Sequence, residues 1–256
     1  NKMMYSSGIS LIDDSAPNGF GKLNGRDWDS LAEQISDCIK GGTKLILIPL
    51  SISGGRRNSD GHQNLLIYRV KSATLERFEP HGDKTYVGSE KKTKLVNDFV
   101  NSQLENLVIA LKSRDAIPKN AKYVPSTETC PKIGFQGLEG IDMVKRFPDE
   151  KERNKISKTV GNGFCMMWSL YALELTLQFP NKTLSEVSEL AIKEIKSMGQ
   201  FGFYNHILGY TEDAVKKIKE ITKDIKLEKK GKWKGINDPV NTEFLKKYYT
   251  EFYNWY

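Results

Sequence analysis

The apolar positions change period several times along the chain, and each change marks an element. From Asp27 to Lys40, Trp28, Leu31, Ile35 and Ile39 recur at helical spacing and give out at Gly41-Gly42, which suits a helix C-terminus. Leu45-Ile46-Leu47-Ile48-Pro49-Leu50 is a short apolar run, the pattern of a buried strand. A polar glycine-bearing loop, Ser53 to Gly61, follows. Two runs rich in aliphatic and aromatic residues, Gly61 to Val70 and Leu75 to Gly82, then flank the polar Lys71-Ser72-Ala73-Thr74. This predicts a β-hairpin turning near Lys71, with the start of its first strand beside the end of its second. Near-helical intervals return in Lys94 to Lys112, through Leu95, Phe99, Leu104, Leu107 and Leu111, and an apolar helix is expected from Cys165 to about Gln178. Thr183 with Glu186 is a capping-box pattern that opens a helix to about Met198. Further helices are expected from Glu212 to Ile225 and from about Thr242. Helices and strands alternate irregularly around an antiparallel hairpin, so the expected fold is α+β rather than a regular parallel α/β sheet.

A chain of 256 residues is within reach of one core, and no long Gly/Ser/Pro-rich linker divides it. One domain, 1–256, is therefore expected, with a charged insertion at about 140–160 and a C-terminal helical part at about 183–256. Asp142, Lys145, Arg146, Asp149, Glu150, Lys151, Glu152 and Arg153 make the insertion an expected surface loop or short helix. The terminal Phe244–Tyr256 mixes aromatics and charges at amphipathic spacing. It fits a helix docking on the domain, or else one that binds a partner.

The net charge of +7 favours acidic partners in general without choosing among nucleic acid, protein and lipid. No zinc-like cysteine cluster, phosphate-cradling loop or nucleic-acid motif accompanies it, so nucleic acid is a partner without a motif to support it, and the lysine-rich Lys226–Lys234 reads as a solvated loop. Three cysteines, Cys38, Cys130 and Cys165, are too few for a disulfide framework, and no apolar run of about twenty residues could span a membrane. An intracellular, reducing compartment is the expectation.

The chemistry concentrates in three stretches. Gly161-Asn162-Gly163-Phe164-Cys165 runs straight into the apolar helix, so Cys165 stands where unpaired N–H groups and the helix dipole favour a thiolate. A free cysteine at a helix edge is also a common core residue, and only its partners can decide. The hairpin supplies them: His62 and Glu79 sit at the strand ends that the turn brings together. A carboxylate there can fix the imidazole tautomer and leave the other ring nitrogen to deprotonate a thiol. Between hairpin and helix, Gln136 could aim its amide N–H at a developing oxyanion, with the Cys165 backbone N–H as a second donor and Asn162 as a poorer candidate. Cys130 competes as nucleophile, and His81 and His206 compete as base.

The order His62, Glu79, Gln136, Cys165, with the acid seventeen residues after the histidine, resembles the cysteine peptidases of the adenovirus-protease and SUMO-protease superfamily, from about Leu45 to Pro180. The blocks His-x-Asn, Arg-Phe-Glu-Pro-His-Gly, Cys-Pro-x-x-Gly-x-Gln-x-x-Glu and Gly-Phe-Cys-x-x-Trp-Ser look most like members from large DNA viruses and some intracellular microbes. The resemblance implies a papain-like core with a mixed central sheet flanked by helices. It also implies His62 as general base, Glu79 as its orienter, Gln136 in the oxyanion hole, Cys165 as nucleophile, and no metal or organic cofactor. Two positions depart from the pattern: Gln63 stands where an aromatic often follows the histidine, and Gln136 precedes the cysteine by twenty-nine residues instead of a few.

The substrate expectation is ubiquitin or a ubiquitin-like protein, whose Gly-Gly terminus suits a narrow groove walled by Gly163, Phe164 and Trp168. Processing of a viral structural polyprotein, an acetyltransferase-type effector reaction on the same triad, and a basic binding protein without turnover stay open as alternatives. For a viral protein the compartment would be the host cytoplasm or the virion.

Overall fold

The hairpin carries the histidine and leads into the acid that the sequence singles out, and the sequence places it well. In the computed structural model, which describes residues 9–11, 25–53, 61–85, 90–160 and 164–222, a mixed sheet is built from β1 (Ile9–Leu11), β2 (Leu45–Ser53), β3 (Gly61–Arg69), β4 (Thr74–Phe78) and β5 (Lys122–Val124). These lie side by side in chain order. The pairs β2–β3 and β3–β4 are antiparallel, whereas β1 and β5 run parallel to their neighbours. The helices are α1 (Gly25–Lys40), α2 (Glu90–Ser113), α3 (Ser126–Thr129), α4 (Phe135–Arg146), α5 (Glu150–Val160), α6 (Cys165–Gln178), α7 (Leu184–Ser197) and α8 (Gly202–Thr222). The fold is α+β, a mixed sheet flanked by helices.

Both faces of the central strands are covered. On one, Ile46, Ile48 and Leu50 of β2, Leu66 and Tyr68 of β3 and Leu75 of β4 join Leu31 and Ile35 of α1 and Val100, Leu104 and Leu107 of α2 in a continuous core. On the other, Phe78 meets Phe135 at 5.9 Å between ring centroids, and Phe135 stacks on Trp168 of α6 at 5.1 Å. Burial on two sides explains why these strands read as near-continuous apolar runs instead of alternating ones.

Local chemistry ends and starts the helices as the sequence suggests. Gly42, at φ 81°, closes α1 with Gly42 N–H donating to Ile39 O and Thr43 N–H to Cys38 O, the paired bonds of a Schellman motif. The Thr183–Glu186 capping box opens α7, as expected.

Elsewhere long-range contacts override the local signal. The charged 140–160 stretch is the end of α4, which already begins at Phe135, followed by α5. Helix α8 starts at Gly202, ten residues before the expected Glu212, because the Asp142 carboxylate of α4 accepts the N–H groups of Phe203 and Tyr204 at 2.9 and 3.4 Å. The Arg146 guanidinium lies over the rings of Phe147, Phe201 and Tyr204, fixing the same junction.

The chain divides into two compact units, Asn1–Tyr204 and Asn205–Tyr256. The expected Ser53–Gly61 loop (apart from its ends), Asn162 and Gly163, the Lys226–Lys234 tract and the terminal helix lie outside the described residues. Among those described, no helix is long and apolar enough to cross a membrane.

Candidate active site

His62 is the second residue of β3, and Glu79 follows the last residue of β4. The register pairs Leu65 with Phe78, and carrying it onward sets Asn64 opposite Glu79 and His62 opposite His81. His62 and Glu79 are thus diagonal cross-strand neighbours, within reach of long side chains. Their contact is short, with Nε2 of His62 at 2.6 Å from Oε1 of Glu79. The His81 ring lies 4.8 Å from that of His62, centroid to centroid.

Glu79 is wholly buried and densely held. Its Oε1 receives His62 Nε2, the backbone N–H of His81 at 3.0 Å and His81 Nδ1 at 3.3 Å. Its Oε2 accepts from Asn64 Nδ2 and Arg77 Nη2, each at 3.1 Å, and from the Thr85 hydroxyl. Burial alone would push this acid up. The His62 charge and hydrogen bond, the bond to His81 and the Arg77 guanidinium instead hold it well below the usual carboxylate range.

The same balance acts in reverse on His62, whose side chain is 15 % exposed. Burial would lower its pKa, but the charges of Glu79 and Cys165 and hydrogen bonds to both raise it to about 9. With Nε2 committed to Glu79, Nδ1 is the nitrogen left for the sulfur.

Cys165 is the first residue of α6, and the preceding Phe164 caps the helix with no side-chain hydrogen bond. Burial pushes the thiol up. The His62 hydrogen bond, the backbone N–H of Gln63, the His62 charge and the N–H of Met166 outweigh it, and the thiol ends below its ordinary value. Ser169, one turn on, donates to Gln63 O at 3.3 Å and ties the head of the helix to the histidine strand.

A strap formed by Pro80-His81-Gly82 crosses the start of α4. Gly134 N–H donates to His81 O at 2.7 Å and Gln136 N–H to Pro80 O at 2.9 Å. Only glycines allow this approach: a Cβ on Gly134 would stand 2.5 Å from both Gly82 N and Pro80 O, and Gly82 has φ +125°. Gln136 is therefore in the first turn of a helix and not in a loop, and its Oε1 is buried without a hydrogen-bond partner. The twenty-nine residues from Gln136 to Cys165 are taken up largely by α4 and α5.

One expectation needs correction, and two competing candidates lose ground. Trp168 is 0 % exposed, sandwiched among Phe135, Tyr171 and Phe203, so it belongs to the core and walls no groove. Cys130 is buried and its thiol pushed up to about 11, which disqualifies it as a competing nucleophile. His81 shares the carboxylate with His62 and is not an alternative to it. Phe164 is buried at the helix cap, Gly163 lies outside the described residues, and His206 belongs to the second unit.

What sequence reasoning missed is the polar set behind the acid: Asn64, Arg77 and Thr85. The signal was the two-residue strand period, which puts Asn64 on the side of His62 and Arg77 on the side of Glu79. Glu139, a turn beyond Gln136, is also buried; burial raises its pKa to about 7 against the pull of a hydrogen bond with Trp168.

His62, Glu79 and His81 offer ligand atoms within 4.8 Å of one another, the one such group among the described residues. The guanidinium on Oε2 opposes a second cation on that carboxylate, and the cluster is already satisfied by its own hydrogen bonds.

No protein-family model matches the chain, and no solved structure matches it. Among curated proteins it is 28 % identical, over 200 residues, to a protein of Acanthamoeba polyphaga mimivirus named for ankyrin repeats (L371). The match covers 77 % of this chain and 23 % of that protein, so the chain spans about a quarter of the length of its relative.

Proposed function

We propose that this chain is a cysteine peptidase that hydrolyses peptide or isopeptide bonds, with Cys165 as nucleophile, His62 as base, Glu79 as its orienter and Gln136 as an oxyanion donor. The observation that carries the reading is the continuous chain Glu79–His62–Cys165, in which the imidazole is raised to about 9 and the thiol lowered. Those shifts move both groups toward a thiolate–imidazolium pair, the poised state of a thiol nucleophile. The thiolate would attack an amide carbonyl, and the Cys165 N–H and the Gln136 amide would receive the oxyanion. His62 would then protonate the leaving amine and activate the water that cleaves the thioester.

A helix headed by cysteine and packed against the strand bearing the histidine supports a papain-like core of the SUMO-protease and adenovirus-protease type. The mimivirus relative supports a viral setting for the chain. Its ankyrin name does not bear on the matched quarter here: the described elements are a five-stranded sheet with helices around it, not stacked helix pairs. The favoured substrate is a ubiquitin-like protein, deconjugated or processed at its glycine terminus. Met166, 55 % exposed and next to Cys165 in the chain, replaces Trp168 as the candidate apolar contact for substrate. The viral relative favours one second reading, cleavage of a structural polyprotein after glycine-containing motifs. Either use of a free thiolate fits a reducing compartment.

The test is incubation with ubiquitin and SUMO probes bearing a C-terminal electrophile, alongside peptides with glycine before the scissile bond. Wild type is expected to form an adduct or cleave, and Cys165→Ala to do neither. Reaction that survives the substitution, or wild type inert to every probe and peptide, overturns the proposal.

A further inference from the structure

We infer that Arg77, and behind it Asn97 and Asn101 of α2, forms a positioning network that occupies one oxygen of Glu79, turns the other toward His62 and His81, and keeps that carboxylate ionised in a dry site. The inference rests on the proposed peptidase reading and deepens it. Arg77 is completely buried, as is Glu79. Its fork is divided with little redundancy: Nε donates to Asn64 Oδ1 at 2.8 Å, Nη2 to Glu79 Oε2 at 3.1 Å and to the Thr85 hydroxyl, and Nη1 to Asn101 Oδ1 at 3.3 Å, with Asn97 Oδ1 at 3.5 Å.

Every group that touches Arg77 is itself fixed. Asn64 bridges, accepting from Arg77 and donating to the same Glu79 oxygen. Asn97 holds the Thr85 segment in place through the Thr85 N–H and carbonyl, each at 3.0 Å. Asn101 accepts from the Tyr123 hydroxyl at 2.7 Å, and burial raises that phenol to about 12, so it remains a neutral donor. A line of hydrogen bonds thus runs from Tyr123 at the sheet edge through Asn101, Arg77 and Glu79 to His62, which is electrostatically coupled to Cys165.

The division of labour follows from the geometry. Oε2 is saturated by Arg77, Asn64 and Thr85, which leaves Oε1 to face His62, at the shortest distance, and His81. The other groups around the carboxylate are His62 and, through it, Cys165; His81; Cys130, whose sulfur meets the Glu79 N–H; and Tyr123 with Glu105 farther out. Arg77 alone among them carries a positive charge at every accessible pH. A buried carboxylate without a permanent cation takes up a proton more readily, and a protonated Glu79 could no longer hold His62 as imidazolium.

The test compares Arg77→Gln and Arg77→Lys with wild type in kcat/KM against pH, using whichever peptide or probe wild type turns over. Arg77→Gln is expected to move the acid limb up by about one pH unit or more, the size of an opposite-charge effect on a carboxylate. Arg77→Lys is expected to keep the limb in place with a lower rate throughout, since it retains the charge but loses the fork. A loss by the same factor at every pH in Arg77→Gln would reduce Arg77 to a packing residue and overturn the inference.

If Arg77→Gln fails to fold, Asn101→Ala withdraws one partner of the guanidinium, and a smaller shift in the same direction is expected; an unmoved limb counts against the network. NMR of the Glu79 carboxylate carbon gives a readout free of turnover: Glu79 should take up its proton at higher pH in the variant, and an unchanged titration overturns the inference. Wild type without Cys165-dependent reaction but with this coupling present would sink the peptidase reading alone.

Discussion

Cys130 and Cys165 lie on two sides of the same hairpin end, each 9 % exposed, and their thiols are driven in opposite directions. At Cys130 burial dominates. The sulfur meets the Glu79 N–H at 3.4 Å, the Arg77 carbonyl at 3.7 Å and the Thr129 hydroxyl at 3.6 Å, while the Glu79 carboxylate repels any charge that forms. At Cys165 burial acts in the same sense but is outweighed by His62 and by two backbone N–H groups, that of Gln63 on β3 and that of Met166 at the head of α6. Exposure therefore does not separate the reactive cysteine from the structural one. The donors aimed at the sulfur do.

The sharpest way to break this contrast is alkylation. A thiol near pKa 11 is about one part in ten thousand thiolate at pH 7, so Cys130 should be inert in the folded protein. Iodoacetamide at neutral pH is expected to modify Cys165 faster than Cys130 by roughly a hundredfold or more, read by peptide mass spectrometry. His62→Ala should erase most of that gap. Equal labelling of both sites in wild type would mean that the imidazole does not charge the sulfur.

A smaller effect lies in the alkaline limb. His62 must be protonated to hand its proton to the leaving amine, and its folded pKa is raised from 6.5 to about 9. Activity is thus expected to persist through pH 8 and to fall as pH rises through about 9, by about tenfold per unit at the steepest. The linkage has the same sign for stability: the contribution is complete below 6.5 and is lost as pH climbs through about 9. A limb near 6.5 would show an imidazole unsupported by Glu79 and would leave Cys165 little different from Cys130.

The features legible in the sequence are those decided within a few residues. The hairpin follows from two apolar runs and a polar turn, the Schellman end of α1 from Gly41-Gly42, the start of α7 from Thr183 and Glu186. The opening of α6 at Cys165 follows from the glycine-bearing loop before an apolar run. The adjacency of His62 and Glu79 was legible because a hairpin converts sequence separation into a register. Features decided by distant partners were not. The start of α8 depends on Asp142, sixty-one residues away, and Trp168 is drawn into the core by Phe135 and Phe203, so an aromatic that looked available for substrate is not. Arg77 was hidden for a related reason. An arginine in a strand ordinarily points to water, and only the convergence of Asn64, Glu79, Thr85 and α2 on its fork makes burial tolerable.

The smallest expected effect tests whether Cys130 matters at all to its neighbour. Cys130→Ala removes the acceptor for the Glu79 N–H, a weak bond at 3.4 Å, and leaves a small void in a buried corner. A lost neutral hydrogen bond with a modest cavity should cost about 1–2 kcal/mol of stability in denaturant unfolding. The alkylation rate of Cys165 should stay within about twofold, because the Glu79 carboxylate is held by His62, His81, Asn64, Arg77 and Thr85, and of these the substitution touches Arg77 alone, at its backbone carbonyl and not at the guanidinium. A tenfold fall in that rate would require the backbone at Glu79 to shift when its N–H is orphaned. The two cysteines would then be coupled through one peptide group, and the inert thiol would be part of what keeps the reactive one poised.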